Sequence, residues 1–108
     1  MIAHVKSVEG ETRVFDFVLD IDDVPFDLTG ATQLALELTP RGSATTTTIS
    51  TGIAVTDSAS GQIAYSPADG ALVQASSPYR WRVKLIGSDG KRYYFPNEEP
   101  GTWIVRKP

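Results

Sequence analysis

The chain has 108 residues, with 10 Lys and Arg, 13 Asp and Glu and one His, so its formal net charge at pH 7 is -3. This length predicts a single domain over residues 1–108, and the lack of cysteine excludes disulfides and thiolate metal sites. The net negative charge argues against nucleic-acid binding as the main role, and no apolar run approaches the ~20 residues that a bilayer-spanning helix needs.

The first half of the chain alternates between apolar and polar side chains, a pattern typical of β-strands. Residues 12–19 are predicted to form one strand and residues 31–38 another. The side chains predicted to face the core are Phe15, Phe17, Leu19, Leu34, Leu36 and Leu38. A helix over 31–38 is the alternative because Ala, Leu, Gln and Glu favour helices, but the strict alternation and the following Pro40 favour a strand.

The middle of the chain predicts shorter elements. Residues 39–52 contain four consecutive threonines and are interpreted as an exposed edge strand, a protruding hairpin or a plain surface loop. Residues 53–56 and 62–66 are predicted strands, joined by a turn rich in Ser, Asp and Gly. Residues 67–75 are predicted to hold one helical turn.

The strongest strand pattern covers residues 79–86, where aromatic and branched side chains alternate with Arg80, Arg82 and Lys84. An Asp-Gly turn predicts a hairpin with residues 92–95, and residues 102–106 form the last predicted strand. Together these elements predict an all-β fold: an immunoglobulin-like antiparallel β-sandwich of seven to nine short strands with at most one helical turn.

The residues offer little for catalysis. The single histidine, His4, stands near the chain start, where order is usually poor, so we predict no enzyme and no cofactor. The acidic stretch 20–27 has three interpretations: a solvated turn, an acid–base pair or a calcium site. An EF-hand is excluded because Pro25 and Ala31 stand where that loop needs Gly and Glu. We favour the solvated turn and predict no bound metal.

Charge is unevenly distributed along the chain. Acidic residues concentrate in the segment 9–27 and basic residues in the segment 80–107. This asymmetry indicates pairing within the fold, which is the commoner case, or pairing between subunits. The residues predicted to form interaction surfaces are Asp20, Asp22, Asp23, Asp27, Arg80, Arg82, Lys84, Lys91, Arg92, Tyr93 and Tyr94.

The aromatic side chains allow two further interpretations. Basic residues beside Tyr93 and Tyr94 could bind single-stranded nucleic acid, or exposed rings could stack on sugars as in a carbohydrate-binding module. The rings available for stacking are Tyr79, Trp81, Tyr93, Tyr94 and Trp103. We favour the interpretation that both tryptophans and at least one tyrosine belong to the core.

Several segments together carry a family resemblance. The segment 24–32, Val-Pro-Phe-Asp-Leu-Thr-Gly-Ala-Thr, follows a strand and an acidic turn. Residues 57–65 are a turn followed by a strand, and residues 79–83 followed by Gly90 form a late hairpin. This arrangement resembles the N-terminal domain of phage baseplate upper proteins and related immunoglobulin-like phage tail modules. In this motif we expect Pro25 to preset φ for the turn and Gly30 to adopt a positive φ.

The resemblance implies a role without catalysis. It implies a structural or assembly module of a phage or prophage particle, in the tail, the baseplate or a virion adaptor. The partners implied are other virion proteins and further copies of the chain, with no nucleic acid and no membrane. The implied location is the bacterial cytoplasm during assembly and then the virion. The alternative is a carbohydrate-binding module that recognises a host glycan.

Overall fold

A computed structural model describes residues 4–68, 70–96 and 99–108, and their regular secondary structure is almost entirely β-strand. The strands are β1 His4–Val8, β2 Phe15–Val18, β3 Asp20–Ile21, β4 Val24–Pro25, β5 Thr32–Thr39, β6 Thr47–Ile49, β7 Ile53–Asp57, β8 Gln62–Tyr65, β9 Tyr79–Ile86, β10 Arg92–Phe95 and β11 Gly101–Arg106. A single 3-10 turn is found in these ranges, at Gln74–Ser76. The predicted all-β sandwich is confirmed.

The strands form two main sheets. The larger sheet has the order β1-β11-β9-β5-β6, and β10 also pairs with β9. Strand β9 has β5 on one side. On the other side of β9, β10 pairs with residues 83–86 and β11 pairs with residues 79–81. The smaller sheet has the order β2-β8-β7, and β3 and β4 form a separate short hairpin. All strand pairs are antiparallel except β1 and β11, which are parallel.

Aromatic rings hold the two sheets together. Trp103 of the larger sheet meets Phe15 of the smaller sheet with ring centroids 5.0 Å apart, and Trp81 meets Phe17 at 5.1 Å. Both indoles are buried, as are Tyr65 and Tyr79. The prediction that both tryptophans and at least one tyrosine lie in the core is therefore confirmed.

The buried Trp103 also has a polar partner. Its indole Nε1–H donates a 2.9 Å hydrogen bond to the hydroxyl of Ser7, the one buried polar residue among those described. Because a buried donor without a partner would cost free energy, Ser7 allows the indole to occupy the core. This contact also ties β1 to β11.

Strand β5 departs from the predicted alternation. A β-bulge lies between Thr32 and Ala35, where Gln33 adopts a left-handed φ of 56°. A bulge places two residues of one strand opposite one residue of its partner. Leu34 lies in this bulge and is only half-buried, while Leu36 and Leu38 are buried as predicted. Ala35 pairs with Lys84 and therefore shares the outward side of the strand, as predicted, but it is buried there.

Two further elements differ from prediction. Strand β1 begins at His4, although poor order was expected there. Backbone pairing with β11 holds the segment in place. Its buried side carries Val5 and a serine, so the sequence contains no clear apolar alternation there. The helical turn occurs at Gln74–Ser76, the C-terminal end of the predicted range; position 69 within that range lies outside the described residues.

The acidic stretch forms a tight hairpin. Asp22 and Asp23 both have positive φ, at 53° and 65°, and they join β3 to β4 as a two-residue turn of type I′. The prediction that Pro25 sets this turn is wrong, because Pro25 lies in β4, paired with Asp20. Aspartate serves in the turn because it tolerates left-handed backbone better than most residues.

The positive φ predicted for Gly30 is confirmed at 78°. A Cβ added there would lie 3.1 Å from the Cβ of Ser88, in the turn between β9 and β10. Gly30→Val is therefore expected to lower the free energy of unfolding by about 1–3 kcal/mol, through backbone strain and this contact. Urea unfolding followed by tryptophan fluorescence measures the change.

The matched control is Gly42→Val. Gly42 has a similar φ of 73°, but no atom lies within 4 Å of the position of its added Cβ. This variant should lose less stability than Gly30→Val because it carries the backbone strain without the crowding. If Gly30→Val unfolded with the same urea midpoint as the wild type, the strain and crowding assigned to this position would be contradicted.

Candidate functional site

The outer surface of the larger sheet is rich in cations. On each strand these side chains alternate with the buried ones, so they share one surface, which we call the basic face. Its cations are Lys6, Arg80, Arg82, Lys84, Arg92 and Arg106. Within the described strands, the acid that shares this face is Glu37, on β5.

The ladder between β5 and β9 arranges the centre of the basic face. It places Arg82 opposite Glu37 and Arg80 opposite Thr39. Glu37 pairs diagonally with Lys84, whose Nζ lies 3.7 Å from its Oε2. Within the described parts of the chain, Arg80 and Arg82 form no ion pair.

A cleft of about 230 Å³ opens at these two arginines, which we call the arginine cleft. Its lining residues are Glu37, Thr39, Thr46, Arg80, Trp81, Arg82 and Pro100. The hydroxyls of Thr39 and Thr46 hydrogen-bond each other at 2.9 Å across one wall. The cleft therefore combines two guanidinium groups with two hydroxyls and the carboxylate of Glu37.

Arg82 is held in place within the cleft. Its Cζ lies 5.8 Å from the ring centroid of Tyr94, within the range of a cation–π contact. Its Nε is buried and has no hydrogen-bond partner among the described residues. The planar donors of a guanidinium can bind a carboxylate or another oxyanion.

The four predicted aspartates lie on or beside the β3–β4 hairpin, and we call residues 20–27 the acidic loop. Asp22 and Asp23 are exposed at the tip, and Asp20 is half-buried at its base. Asp27 is exposed and its Oδ1 accepts a 2.9 Å hydrogen bond from the backbone N–H of Thr29. Hydrogen bonds from the Thr29 side chain and backbone hold the pKa of Asp27 below its ordinary value.

The acidic loop lies at the end of the sandwich where β9 turns into β10. The ring of Phe26 packs on Tyr93, with centroids 4.7 Å apart, and on Phe95 at 5.4 Å. Arg80 is six residues before the end of β9, about 20 Å away along the strand at roughly 3.3 Å per residue. The fold therefore does not bring the acidic loop to the arginine cleft of the same chain.

The salt bridges within the described residues agree with this separation. They join Arg13 to Glu11 and Lys84 to Glu37. Neither pair includes Asp22, Asp23 or Asp27, the exposed aspartates of the acidic loop.

The predicted hairpin residues divide between two sides of the sheet. Lys91 and Arg92 are exposed near the turn, and Tyr94 is half-buried on the basic face. Tyr93 points to the opposite side, where its hydroxyl donates a 2.6 Å hydrogen bond to Asp89 Oδ2. Tyr93 and Tyr94 therefore form no common stacking platform, and the other rings considered for sugar binding, at 79, 81 and 103, are buried.

Residues of the arginine cleft outside β9 were not predicted from the sequence. Glu37, Thr39, Thr46 and Pro100 reach it from three separate segments. The alternation of residues 31–38 did predict that Glu37 faces outward. It could not predict that Glu37 lies opposite Arg82, because that register between β5 and β9 depends on the bulge at Gln33. Lys6, which lies on the basic face outside the cleft, was missed because β1 was not predicted. Arg106 ends a strand that was predicted, but it was not included among the interaction residues.

Other kinds of site find no support in the described residues. No group of three or more His, Asp or Glu side chains there could hold a metal ion. No helix in those ranges is long and apolar enough to cross a membrane. No protein-family model matches the chain, and no curated protein matches it.

The contact between Tyr93 and Asp89 predicts a pH effect. The pKa of Asp89 is lowered chiefly by the Tyr93 hydroxyl, with a further contribution from the backbone N–H of Lys91. A lowered folded-state pKa adds stability above the ordinary aspartate pKa, and this stability is lost as the pH falls through the folded-state value. Tyr93→Phe should move the pKa of Asp89 upward, as measured by NMR titration of its carboxyl carbon.

Asp27 is the internal control for this titration. Its lowered pKa depends on Thr29 and not on Tyr93, so it should titrate identically in wild type and Tyr93→Phe. An unchanged Asp89 titration would contradict the role given to the Tyr93 hydroxyl.

Proposed function

We propose that this chain is a non-enzymatic structural module of a phage or prophage particle, acting in the tail, baseplate or a virion adaptor through protein–protein contacts. The motif of residues 24–32 and the similar order of turns and strands support this proposal, and the β-sandwich is the fold that the resemblance implies. Its proposed partners are other virion proteins and further copies of itself. It is made in the bacterial cytoplasm and then joins the particle.

The observation that carries the proposal is the separation of charge over the surface. The acidic loop occupies one end of the sandwich, and the basic face extends from there to the far end of β9. Complementary patches at different places on one molecule favour heterologous contacts, in which one copy presents its acids to the bases of the next. Such contacts give rings when the rotation closes and filaments when it does not.

Self-association is the first test of this proposal. At tens of micromolar, light scattering in low salt should show a mean mass that rises with protein concentration. The mean mass should fall in high salt because dissolved ions screen the attraction between exposed charges, with a screening length of about 10 Å at 0.1 M salt. A monomer at both salt concentrations would contradict assembly through copies of the same chain.

Gene order tests the particle itself, independently of self-association. In the genome that encodes the chain, the genes on both sides should encode tail or head-assembly proteins. Flanking genes for metabolism, with no virion genes nearby, would count against a role in a phage particle even if the protein self-associates.

A further inference from the structure

We propose that the arginine cleft is a carboxylate-binding site whose occupant is the Asp22–Asp23 turn of a second copy of the chain. This inference rests on the proposed function and adds to it the two surfaces that meet. It assigns the tip of the β3–β4 hairpin of one copy to the space between Arg80 and Arg82 of the next.

The cleft is suited to an anion because its lining holds two guanidinium groups and one carboxylate. The acid in its lining, Glu37, already pairs with Lys84, while Arg80 and Arg82 have no ion pair among the described residues. The buried Nε of Arg82 lacks a hydrogen-bond partner, which leaves part of the cost of desolvating the cation unrecovered. A carboxylate at the guanidinium would offset this cost through charge-assisted hydrogen bonds.

The cleft is also preformed. Tyr94 lies beside the Arg82 guanidinium, and the Thr39–Thr46 hydroxyl pair forms one wall. Less side-chain freedom is lost on binding when the receiving groups are already held in position. The cleft volume of about 230 Å³ accommodates a side chain or a turn more readily than a large ligand.

The hairpin tip has the matching chemistry and shape. Its type I′ turn places two consecutive aspartates at the extreme of a narrow two-stranded projection, and both are exposed. Val24, next to the tip, is 65% exposed, the highest value among the exposed large hydrophobic residues. Covering this valine in a contact would add apolar burial to the charge pairing.

The two surfaces lie too far apart to meet within one chain. Phe26 fixes the hairpin against Tyr93 at the turn end of β9, and Arg80 lies at the opposite end of that strand. Contact between tip and cleft therefore requires two molecules. The contact is heterologous, so an open array retains one unused tip and one unused cleft at its two ends until a ring closes or a partner caps it.

Charge reversal on each side tests the contact. Variant one carries Asp22→Lys and Asp23→Lys, and variant two carries Arg80→Glu and Arg82→Glu. Each alone should self-associate more weakly than wild type by a factor of about ten or more in low salt, because like charges meet at every contact. An equimolar mixture should regain association, since the lysine tip meets the glutamate cleft and the native tip meets the native cleft. Sedimentation velocity measures all three samples.

Matched controls carry the same charge changes elsewhere. Asp16→Lys with Asp57→Lys places lysines on the smaller sheet, and Lys6→Glu with Arg106→Glu removes cations from the basic face outside the cleft. Both controls should keep most of the wild-type association. Because Arg82 is partly buried, Arg80→Glu alone is measured too, and thermal unfolding by circular dichroism confirms that each variant folds.

The outcomes separate the failure of this inference from the failure of the proposed function. Wild-type association by both variants, or a mixture that regains nothing, overturns the contact between tip and cleft but leaves self-assembly through other surfaces intact. If the controls lose as much association as the two variants, the contact between tip and cleft is also overturned, because association would then depend on overall charge and not on these residues. A wild-type chain that stays monomeric at every salt concentration overturns both this contact and self-assembly.

Discussion

The contact of Trp81 and Trp103 with the phenyl rings of Phe15 and Phe17 joins the two sheets, and the outer surfaces depend on it. Side chains alternate along a strand, so a tryptophan that points inward forces its neighbours outward. Trp81 thereby places Arg80 and Arg82 on the basic face. A slip of one residue in β9 would bury both arginines, at the large cost of removing charges from water. The core therefore determines the position of the charges as well as the stability of the fold.

A second aromatic contact determines where the acidic loop lies. Phe26 comes directly after the β3–β4 hairpin, and its ring packs against Tyr93 and Phe95 of the larger sheet. The backbone N–H of Phe26 also donates a 2.8 Å hydrogen bond to the carbonyl of Leu19. The hairpin thus has a fixed base on the sandwich while Asp22 and Asp23 extend into solvent. Both charged surfaces are exposed, but each is supported by buried rings.

The sequence predicted the strands whose pattern is local and strong. Residues 79–86 and 92–95 alternate clearly and enclose an Asp-Gly turn, and the structure places strands at both. The alternation of residues 31–38 also predicted a strand correctly, but not its bulge. The left-handed backbone conformation of Gln33 results from the pairing of β5 with β9, and a glutamine in the sequence gives no sign of that conformation. Strand β1 was missed for a similar reason, because its pairing partner lies almost a hundred residues away.

The site could be predicted only in part. Alternation around Trp81 was enough to place Arg80 and Arg82 on an outer face, and turn chemistry was enough to place the aspartates in solvent. The cleft itself depends on register, because Glu37, Thr46 and Pro100 reach it only when three separate segments are aligned. Single-sequence patterns contain no information on that alignment.

The parallel pairing of β1 with β11 has a mechanical consequence. His4 lies beside Thr102 and Val8 beside Arg106, so the two strands run side by side in the same direction. Tension applied to the chain before His4 and after Arg106 would pull these neighbours in opposite directions along their length. All the hydrogen bonds between them would then share the load in shear, whereas a hairpin pulled at its ends opens one bond at a time. The pair of β1 and β11 is therefore expected to resist such tension better than a hairpin pulled at its ends.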